Sequence, residues 1–461
     1  MALEVVILAA GMGKRMHSVL PKVLHPVAGE PLLFHVIKTA CALNAETVHV
    51  VTGHGGEMVQ KRCQDLDPAL YGKLSFHTQK EQLGTAHAVS CAMDGVKDGN
   101  TVLVLYGDTP LPDPALLEPL THVPQEGMNL LTVKMRHPFG YGRIVRDAQG
   151  QVSHIVEEKD ATESEKQISE VNSGILAASG ATLKHYLPRI GNHNAQGEYY
   201  LTDLTGIMVA DGRTVQTTVT EDEERLAGVN NKVQLADVER TCQKLRARKL
   251  MEEGVTLADP ARIDIRGSVI HGKDCCIDIN VILEGKVVLG DNVTIGAGCV
   301  IRNCEIGDNS VISPYTVMED SVLKVHNTIG PFARLRPGNL LEDEVHVGNF
   351  VEVKKSHVGK GTKAGHLSYL GDSEIGKDVN IGAGTITCNY DGANKHRTVV
   401  GDDVFVGSDT QLVAPVTVEA GATIGAGTTV TRTVPAGSLV ITRARPRIIE
   451  NYARPVKAKK E

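Results

Sequence analysis

Aliphatic residues recur every six positions through most of the second half of this chain. A six-residue period is the signature of a hexapeptide parallel β-helix, in which each hexad supplies one short strand and one turn. We therefore predict a left-handed parallel β-helix from about residue 265 to about residue 435, with the periodic side chains pointing inward and each coil covered by its neighbours. The three periodic runs are Ile277, Leu283, Leu289, Ile295 and Ile301; Ile329, Leu335, Leu341, Val347 and Val353; and Val400, Val406, Leu412, Val418, Ile424 and Val430.

The composition agrees with a narrow, aliphatic interior. Three hexads close one coil, so the repeat region holds roughly nine or ten coils. Aromatic residues make up 3% of the 461-residue chain, and tryptophan is absent. Few aromatic rings therefore have to be buried, as a narrow prism requires.

One segment does not follow the six-residue period. The stretch "TCNYDGANKHRTV" (residues 387–399) lies between the periodic residues Ile381 and Val400. We expect it to leave the prism as a loop. Loops on a rigid scaffold often carry functional residues, although a tolerated insertion is the alternative.

The first half of the chain alternates strand and helix patterns instead. Continuous apolar runs such as "EVVILAA" and "TVLVLYGD" are typical of strands buried on both faces. Amphipathic runs such as "PLLFHVIKTACALN", "GTAHAVSCAMDGV" and "DPALLEPLTHV" predict helices. The alternation predicts an α/β, Rossmann-like unit at residues 1–227 with a mainly parallel sheet. In such sheets, ligands bind beyond the carboxyl ends of the strands.

A charged segment connects the two halves. Its pattern predicts one long helix that begins near Asn231 and ends at Gly254. We assign residues 228–254 to a helical linker and residues 255–461 to the β-helix unit with a C-terminal tail.

Charge and composition exclude several classes of protein. The net charge of -7 argues against a general nucleic-acid binder. No apolar stretch reaches the roughly 18 residues of a membrane span, and the N-terminal apolar run is typical of a strand rather than a leader. The nine cysteines form no C-x-x-C pair, so a structural zinc site is not indicated. Free thiols suit a reducing compartment, and we expect a cytoplasmic protein.

A glycine-rich loop follows the first predicted strand. In "LAAGMGKRM", Gly11 and Gly13 let backbone amides approach a phosphate, and Lys14 and Arg15 add positive charge. The loop is neither a complete G-x-G-x-x-G fingerprint nor a P-loop. Asp108, in "YGD", ends another predicted strand, where the fold predicts a ligand; capping of a turn is the alternative.

The six-residue register also assigns the residues of "KAGHLSYLGD". Val358, Ala364 and Leu370 take the inward positions. His366 then lies at or near a corner of the prism, and Tyr369 points outward. This placement argues against a buried core histidine, and a solvated surface histidine is the alternative to a functional role.

Several motifs together resemble a known family. The segments "LAAGMGKRM", "LPKVL", "EQLGTAHA", "YGDTPL", "GYGRIV", "VEEKDAT", "VNSGI", "NAQGEYYLTD" and "GVNNKVQL" are similar to those of sugar-nucleotide pyrophosphorylases. With the hexapeptide half, the whole chain resembles the bacterial bifunctional N-acetylglucosamine-1-phosphate uridylyltransferases and glucosamine-1-phosphate N-acetyltransferases. The resemblance implies acetyl transfer from acetyl-CoA to glucosamine 1-phosphate. It then implies uridylyl transfer from UTP to N-acetylglucosamine 1-phosphate, with release of pyrophosphate.

The resemblance also implies roles in the first unit. Asp108 and Asn230 would hold Mg²⁺, which prefers oxygen ligands, and Arg15 and Lys22 would neutralise phosphate charge. The remaining residues implied to contact nucleotide or sugar are Leu8, Ala9, Ala10 and Gly11 through their backbone, Gln79, Gly84 and Thr85 around the uracil, and Tyr106, Gly107, Gly142, Glu157 and Asn172 around the sugar.

In the β-helix, the resemblance makes His366 the general base of acetyl transfer, with Glu352 as a candidate to orient its ring. The sugar-phosphate residues would be Arg336, Lys354, Tyr369, Asn380 and Lys395, and the acetyl-CoA residues Ala383, Asn389, Tyr390, Ser408, Ala426 and Arg443. Because hexapeptide acyltransferases of this kind place the site between subunits, a homotrimer is expected, with neither nucleic acid nor membrane as partner.

Other functions remain open at this point. The β-helix could be only a trimerising scaffold for a monofunctional nucleotidyltransferase, or the chain could be a non-catalytic regulatory subunit. A related enzyme that joins glucose 1-phosphate to ATP or UTP is a third possibility. A metal-dependent carbonic anhydrase of the same fold would need three histidine ligands, and His346, His357 and His396 show no evident ligand pattern.

Overall fold

The computed structural model describes residues 2–194, 196–443 and 446–454. The chain forms two compact units, Met1–Leu245 and Arg246–Glu461, and the division falls inside one long helix. The part of the predicted tail beyond residue 454 lies outside the described residues. Within the described ranges, no helix is long and apolar enough to cross a membrane.

The described residues of the first unit form eleven strands, of which two make a small separate hairpin. They are β1 (Leu3–Ala9), β2 (Pro26–Val27), β3 (Glu30–Pro31), β4 (Thr47–Thr52), β5 (Leu74–Thr78), β6 (Thr101–Tyr106), β7 (Met128–Lys134), β8 (Arg143–Arg146), β9 (Val152–Val156), β10 (Glu170–Ser179) and β11 (Val215–Thr220).

Helices cover both faces of the main sheet. The α-helices are α1 (Leu32–Ala42), α2 (Gly56–Cys63), α3 (Pro68–Tyr71), α4 (Thr85–Ser90), α5 (Pro114–Leu117), α6 (Gly180–Tyr186), α7 (Asp203–Ala210) and α8 (Lys232–Glu252). Short 3₁₀ helices span Lys14–Met16, Lys22–Leu24, Met93–Gly95, Glu118–Thr121, Glu165–Gln167, Leu187–Arg189, Glu223–Leu226 and Pro260–Arg262.

The main sheet has the order β11-β7-β10-β6-β1-β4-β5, with β8 and β9 attached beside β10. Strands β1, β4, β5 and β6 are parallel to one another, and β7 is parallel to β11. The predicted mainly parallel sheet is confirmed, except that β10 runs antiparallel to β6 and β7. Along β1, Val5 and Ile7 join one core and Val6 joins the core on the other face, so both faces are buried as expected.

Two predicted helices are shorter than their apolar patterns. The helix expected from Gly84 to Val96 is α4 followed by the 3₁₀ turn Met93–Gly95. The helix expected at "DPALLEPLTHV" ends as α5 at Leu117, because Pro119 lacks the amide that would continue the α-helix. Helix α8 is present where expected: Asn231 Oδ1 accepts from Gln234 N, and Gly254 follows its end with φ of 103°.

The second unit is a parallel β-helix. Its strands are β12 (Thr256–Leu257), β13 (Ile263–His271), β14 (Cys276–Ile277), β15 (Val281–Leu289), β16 (Thr294–Ile295), β17 (Val300–Arg302), β18 (Glu305–Ile306), β19 (Val311–Ile312), β20 (Val317–Glu319), β21 (Ser321–Leu323), β22 (Thr328–Ile329), β23 (Arg334–Leu335), β24 (Asn339–Leu341), β25 (His346–Asn349), β26 (Glu352–Lys354), β27 (His357–Val358), β28 (Lys363–His366), β29 (Tyr369–Gly371), β30 (Ser373–Ile375), β31 (Asn380–Ile381), β32 (Ile386–Cys388), β33 (Thr398–Val400), β34 (Phe405–Val406), β35 (Gln411–Val413), β36 (Val416–Val418), β37 (Thr423–Ile424), β38 (Thr429–Val430) and β39 (Leu439–Val440).

Strands of successive coils stack in parallel on three faces. We call them face A, which includes β25, β28, β31 and β34; face B, which includes β23, β26, β29 and β32; and face C, which includes β24, β27, β30 and β33. Stacked residues are 17 or 18 positions apart, as in Ile312 with Ile329 and Ile329 with Val347. Ile381, however, stacks on Val406, 25 positions further. The extra residues form the predicted loop.

The inward placement of the periodic residues is confirmed. All sixteen members of the three predicted runs are at most 2% exposed and belong to one continuous core. Ala364 and Leu370 are buried with them, whereas His366 is exposed and Tyr369 is half-buried. The six-residue period therefore predicts correctly which side chains of this coil are buried and which reach the surface.

We expect the Ile329→Ala substitution to lower the local free energy of unfolding by about 2–5 kcal/mol, because it leaves a cavity in a fully buried layer. Native-state hydrogen exchange of the amides in the adjacent coils measures this. Ile270→Ala is the matched control, since Ile270 is 54% exposed, and it should change stability by less than about 1 kcal/mol. Equal effects of the two substitutions would contradict the inward assignment.

Candidate active sites

The loop after β1 forms the floor of a cleft in the first unit. Gly13 has φ of 58°, and a Cβ there would lie 2.8 Å from Cβ of Lys22. A glycine is therefore needed for the segment that carries Lys22 to pack against the loop. Arg15 lies in the next short turn and is exposed.

The cleft has a volume of about 250 Å³ and lies beyond the carboxyl ends of β1, β5 and β6. This is the edge where the parallel strands predict a ligand. Ten of the expected residues line it: Leu8, Ala9, Ala10, Gly11, Lys22, Gln79, Gly84, Thr85, Tyr106 and Asp108. The wall also contains Val23, Gln82, Ala88 and Glu198, which the sequence motifs did not single out. Gln82 Nε2 donates to Ala10 O at 2.6 Å and so holds the loop.

Asp108 and Asn230 meet although they are far apart in the chain. Val229 N donates to Asp108 O at 2.9 Å, which brings the segment before α8 against the end of β6. Lys22 Nζ then pairs with Asp108 Oδ2 and donates to Asn230 Oδ1 at 3.1 Å. Two oxygens that converge on one cation fit a Mg²⁺ ion, which takes few protein ligands and keeps its waters.

A second group of expected residues adjoins Tyr106. Asn172 N donates to Gly142 O at 2.8 Å, and a Cβ on Gly142 would lie 3.3 Å from Glu157 Oε1. Gly107 N donates to Leu8 O at 2.9 Å, between the ends of β6 and β1. The predicted sugar residues Gly142, Glu157 and Asn172 therefore lie close to one another, and neither they nor Gly107 line the main cavity.

Burial controls the ionisation of this region. Burial raises the pKa of the Glu157 carboxyl, while a hydrogen bond from Thr202 at 3.1 Å opposes the rise. Burial also raises the pKa of Tyr106, and the negative charges of Asp108 and Glu157 add to it. The phenol of Tyr106 therefore stays protonated at neutral pH.

In the second unit, the candidate residues occupy one corner of the prism. The residue at this corner is two positions after the inward residue of face A, and in five successive coils, from Asn349 to Ala426, a glycine precedes it. A Cβ on Gly382 would lie 2.6 Å from Ser408 N, and one on Gly407 would lie 2.5 Å from Ala426 N. We call this the corner column; it consists of Asn349, His366, Ala383, Ser408, Ala426 and, at its end, Arg443.

The structure thus brings together four of the residues expected at acetyl-CoA. Asp409 N donates to Ala383 O at 2.7 Å, and Gly427 N donates to Ser408 O at 2.8 Å. Arg443 Nη1 donates to Ala426 O at 2.7 Å. The result is a ridge of small side chains that ends at a guanidinium.

His366 is held by Asn349, not by the predicted Glu352. Its Nδ1 lies 2.8 Å from Asn349 Oδ1 in the coil above. An amide oxygen only accepts, so Nδ1 carries the hydrogen and Nε2 keeps a free lone pair. Glu352 instead pairs with Arg336 at 3.0 Å. The imidazole is oriented as a general base requires, by a residue that the motifs did not identify.

Cations converge at the other end of face B. The neighbouring Lys395 ammonium lowers the pKa of Lys354, and Arg336 adds to the effect. Lys395 Nζ is 3.9 Å from Asp372 Oδ2. Among the described residues, the carboxylates that pair with these three cations are Glu352 and Asp372. The cluster therefore carries excess positive charge, which an anion would neutralise.

Of the remaining predicted residues, one joins the cation cluster and two lie outside both groups. Asn389, expected at acetyl-CoA, donates instead to Asp372 Oδ2 at 2.6 Å and to Tyr369 Oη at 3.3 Å, so it belongs to the cation cluster. Asn380 is exposed in β31 on face A, beside Lys363 and Phe405. Tyr390 is exposed and donates to Gly392 O at 2.6 Å within the loop.

Asp391 organises the loop that carries Asn389 and Lys395. Its carboxylate accepts from Asn394 N at 2.6 Å, from Ala393 N at 2.8 Å and from His396 Nε2 at 2.6 Å. These bonds hold the pKa of Asp391 well below its usual value. The loop therefore has a conformation fixed by hydrogen bonds.

The other histidines nearby have separate partners. His357 lies between Glu342 and Glu374, and His396 pairs with Asp391. Across the described residues, no group of three or more His, Cys, Asp or Glu is placed to hold a metal ion.

Comparisons with known proteins agree with this architecture. Residues 5–167 match the model of the MobA-like NTP transferase domain, residues 265–358 that of the GMPPB C-terminal domain, and residues 397–432 that of the bacterial transferase hexapeptide (six repeats). One similar solved structure is a putative glucose-1-phosphate thymidylyltransferase from Bacillus anthracis in complex with a sucrose; it is 20% identical, with a TM-score of 0.42 over 52% of this chain and 94% of that chain. The first unit is a nucleotidyltransferase domain, and the second carries the hexapeptide repeats of bacterial transferases.

We expect Asp391→Ala to raise amide exchange across residues 389–397 at pH 7, because the amides of Ala393 and Asn394 lose their acceptor. In the unaltered chain, the carboxylate has a depressed pKa, so its contribution is complete above about pH 4 and is lost as the pH falls further. Hydrogen-exchange mass spectrometry, expressed as protection factors, tests both statements. Glu305→Ala, which removes an exposed carboxylate on β18, should leave this segment unchanged.

Proposed function

We propose that this chain is a bifunctional enzyme that synthesises UDP-N-acetylglucosamine, which is a precursor of cell-wall polymers. Its β-helix would transfer acetyl from acetyl-CoA to glucosamine 1-phosphate. Its first unit would then transfer the uridylyl group of UTP to N-acetylglucosamine 1-phosphate and release pyrophosphate. Both co-substrates are cytoplasmic metabolites, so we place the enzyme in the cytoplasm.

The observation that carries the acetyl-transfer half is the hydrogen bond between His366 and Asn349. It leaves Nε2 as the basic nitrogen at an exposed corner. Nε2 takes the proton that the sugar amine loses as its nitrogen attacks the thioester carbonyl carbon. The C–S bond then breaks, and the sulfur leaves as the thiol of CoA after protonation. The ridge of Ala383, Ser408 and Ala426 offers a flat path for the CoA chain.

The cation cluster would hold the phosphate of the same substrate. Arg336, Lys354 and Lys395 supply positive charge for it. A phosphate between the Lys354 and Lys395 ammonium groups would offset the repulsion that lowers the pKa of Lys354. Tyr369, Asn389 and Asp372 supply hydroxyl, amide and carboxylate groups for the sugar.

The distance between His366 and the cation cluster within one chain supports a homotrimer. In glucosamine 1-phosphate, the amine and the phosphate are on adjacent ring carbons, so base and cations must lie close together. Within one chain, His366 lies before the start of β29, and the cation cluster lies near Gly371 at the end of that strand. At about 3.3 Å per residue, the two are roughly 10–16 Å apart. One site would therefore combine His366 of one copy with the cluster of another.

An exposed aromatic column supports the same arrangement. Tyr315, Phe332 and Phe350 stack with ring centroids 5.3 and 5.5 Å apart, and Leu367 continues the column next to His366. These four side chains are 49–61% exposed. A second copy packed at this corner would cover them, as expected for an apolar patch on a self-associating protein.

The first unit supports nucleotidyl transfer through positioning and charge. An oxygen of the sugar phosphate attacks the α-phosphorus of UTP, and the bond to the β-phosphate breaks. The loop amides of residues 8–11, with Arg15 and Lys22, would neutralise the phosphates, while Gln79, Gly84 and Thr85 receive the base. Mg²⁺ held by Asp108 and Asn230 would supply further charge neutralisation. The sugar would lie beside Tyr106, Glu157 and Asn172.

Reciprocal substitutions test the two-site assignment. Asp108→Ala should abolish UDP-sugar formation, by at least about 10³-fold, and leave thiol release from acetyl-CoA within about twofold of normal. His366→Ala should do the reverse, because the amine loses its base. Both activities are measured on the full chain with separate assays.

The rival function is a monofunctional nucleotidyltransferase with a structural β-helix. It requires that the unaltered protein release no thiol from acetyl-CoA with glucosamine 1-phosphate. His357→Ala provides a control for histidine loss, since His357 is engaged with Glu342 and Glu374 on face C. Loss of acetyl transfer in this control would argue against a specific role for His366.

Subunit mixing tests the shared site. His366→Ala and Lys354→Ala should each be inactive in acetyl transfer alone. After random reassembly of an equal mixture, about one quarter of the sites should combine an intact His366 with an intact cluster, so about one quarter of normal activity should return. Recovery of no activity in mixed oligomers, verified by mass spectrometry, would show that each site lies within one chain.

A further inference from the structure

Gln79 presents a fixed atom to the cleft of the first unit. The residue follows β5, is 4% exposed, and lines the cavity beside Gly84 and Thr85. Its backbone N donates to Thr52 O at 2.8 Å, which anchors the main chain. Its side-chain Nε2 lies 3.0 Å from Gly84 O and 3.2 Å from His87 Nδ1.

These partners determine the orientation of the amide. A carbonyl oxygen only accepts hydrogen bonds, so the atom that faces Gly84 O must be the amide nitrogen. The second N–H then points at His87 Nδ1, which must be the unprotonated nitrogen of that ring. Both donors of Gln79 are used in this way. The described residues provide no donor for Oε1, so Gln79 can meet a ligand in the cleft only as an acceptor.

We propose that His87 is a positioning residue that sets base selectivity by fixing the amide of Gln79. The inference rests on the proposed use of UTP. Uracil carries a hydrogen on N3 and can donate to Oε1, whereas cytosine has a lone pair on N3 and would be repelled. Rotation of the amide to accept cytosine would point Oε1 at both Gly84 O and His87 Nδ1. The preference for uracil over cytosine therefore comes from the two acceptors, Gln79 Oε1 and cytosine N3, that would face each other without a hydrogen.

The test compares equilibrium binding of UTP and CTP to the full chain in the presence of Mg²⁺. The unaltered protein should prefer UTP. His87→Phe keeps a planar ring without an acceptor and should reduce the UTP-to-CTP preference roughly tenfold, the effect of losing one hydrogen bond that holds the amide. His87→Asn retains an acceptor near the position of Nδ1 and should restore most of the preference. His87→Leu is a second removal variant if the phenyl ring disturbs folding.

The outcomes separate the inference from the proposed function. Equal weakening of both nucleotides in His87→Phe and His87→Leu, with an unchanged ratio, would mean that His87 is only structural and would overturn the inference. Equal binding of UTP and CTP by the unaltered protein would overturn it as well. Preferential UTP binding without formation of a UDP-sugar would overturn the proposed function, while the ratios of the His87 variants would still decide the inference.

Discussion

The close stacking of coils is the constraint on which the second unit depends. At Gly382 and Gly407, which precede residues of the corner column, a Cβ would lie within 2.6 Å of the next backbone, so the coils approach as closely as main chains allow. Inward aliphatic residues then bury one another without gaps. The same contact fixes each corner side chain relative to the coil above, and the position of His366 against Asn349 follows from it.

The corner also contains conformations that packing alone does not favour. Tyr315, Phe332, Phe350 and Leu367 all have φ between 49° and 59°, a region in which bulky residues are strained by about 1–2 kcal/mol each. Asparagine and aspartate take the equivalent turns elsewhere, as at Asn292 and Asp403. Four strained, exposed apolar residues next to the candidate base are better explained by an interface than by folding.

The six-residue period was enough to predict the prism, the inward residues and the exposed position of His366. It could not predict the partner of His366, because pairing between coils depends on coil length. A strict 18-residue coil would stack His366 on Gly348, whereas this coil has 17 residues and stacks it on Asn349. In the first unit, strand patterns predicted the edge that carries Asp108. The contact with Asn230 depends on a loop far along the chain, for which no periodicity exists.

The two candidate sites hold their positive charge in different ways. In the β-helix, the neighbouring Lys395 ammonium lowers the pKa of Lys354, and a phosphate at this cluster would meet positive charge without any prior rearrangement. In the first unit, the Lys22 ammonium is paired with the Asp108 carboxylate and donates to Asn230 Oδ1. A Mg²⁺ ion at those two oxygens, as proposed, would release this ammonium toward a phosphate. Under the proposed function, phosphate recognition in the first unit would therefore be coupled to Mg²⁺ binding, whereas in the β-helix it would depend on protein charges alone.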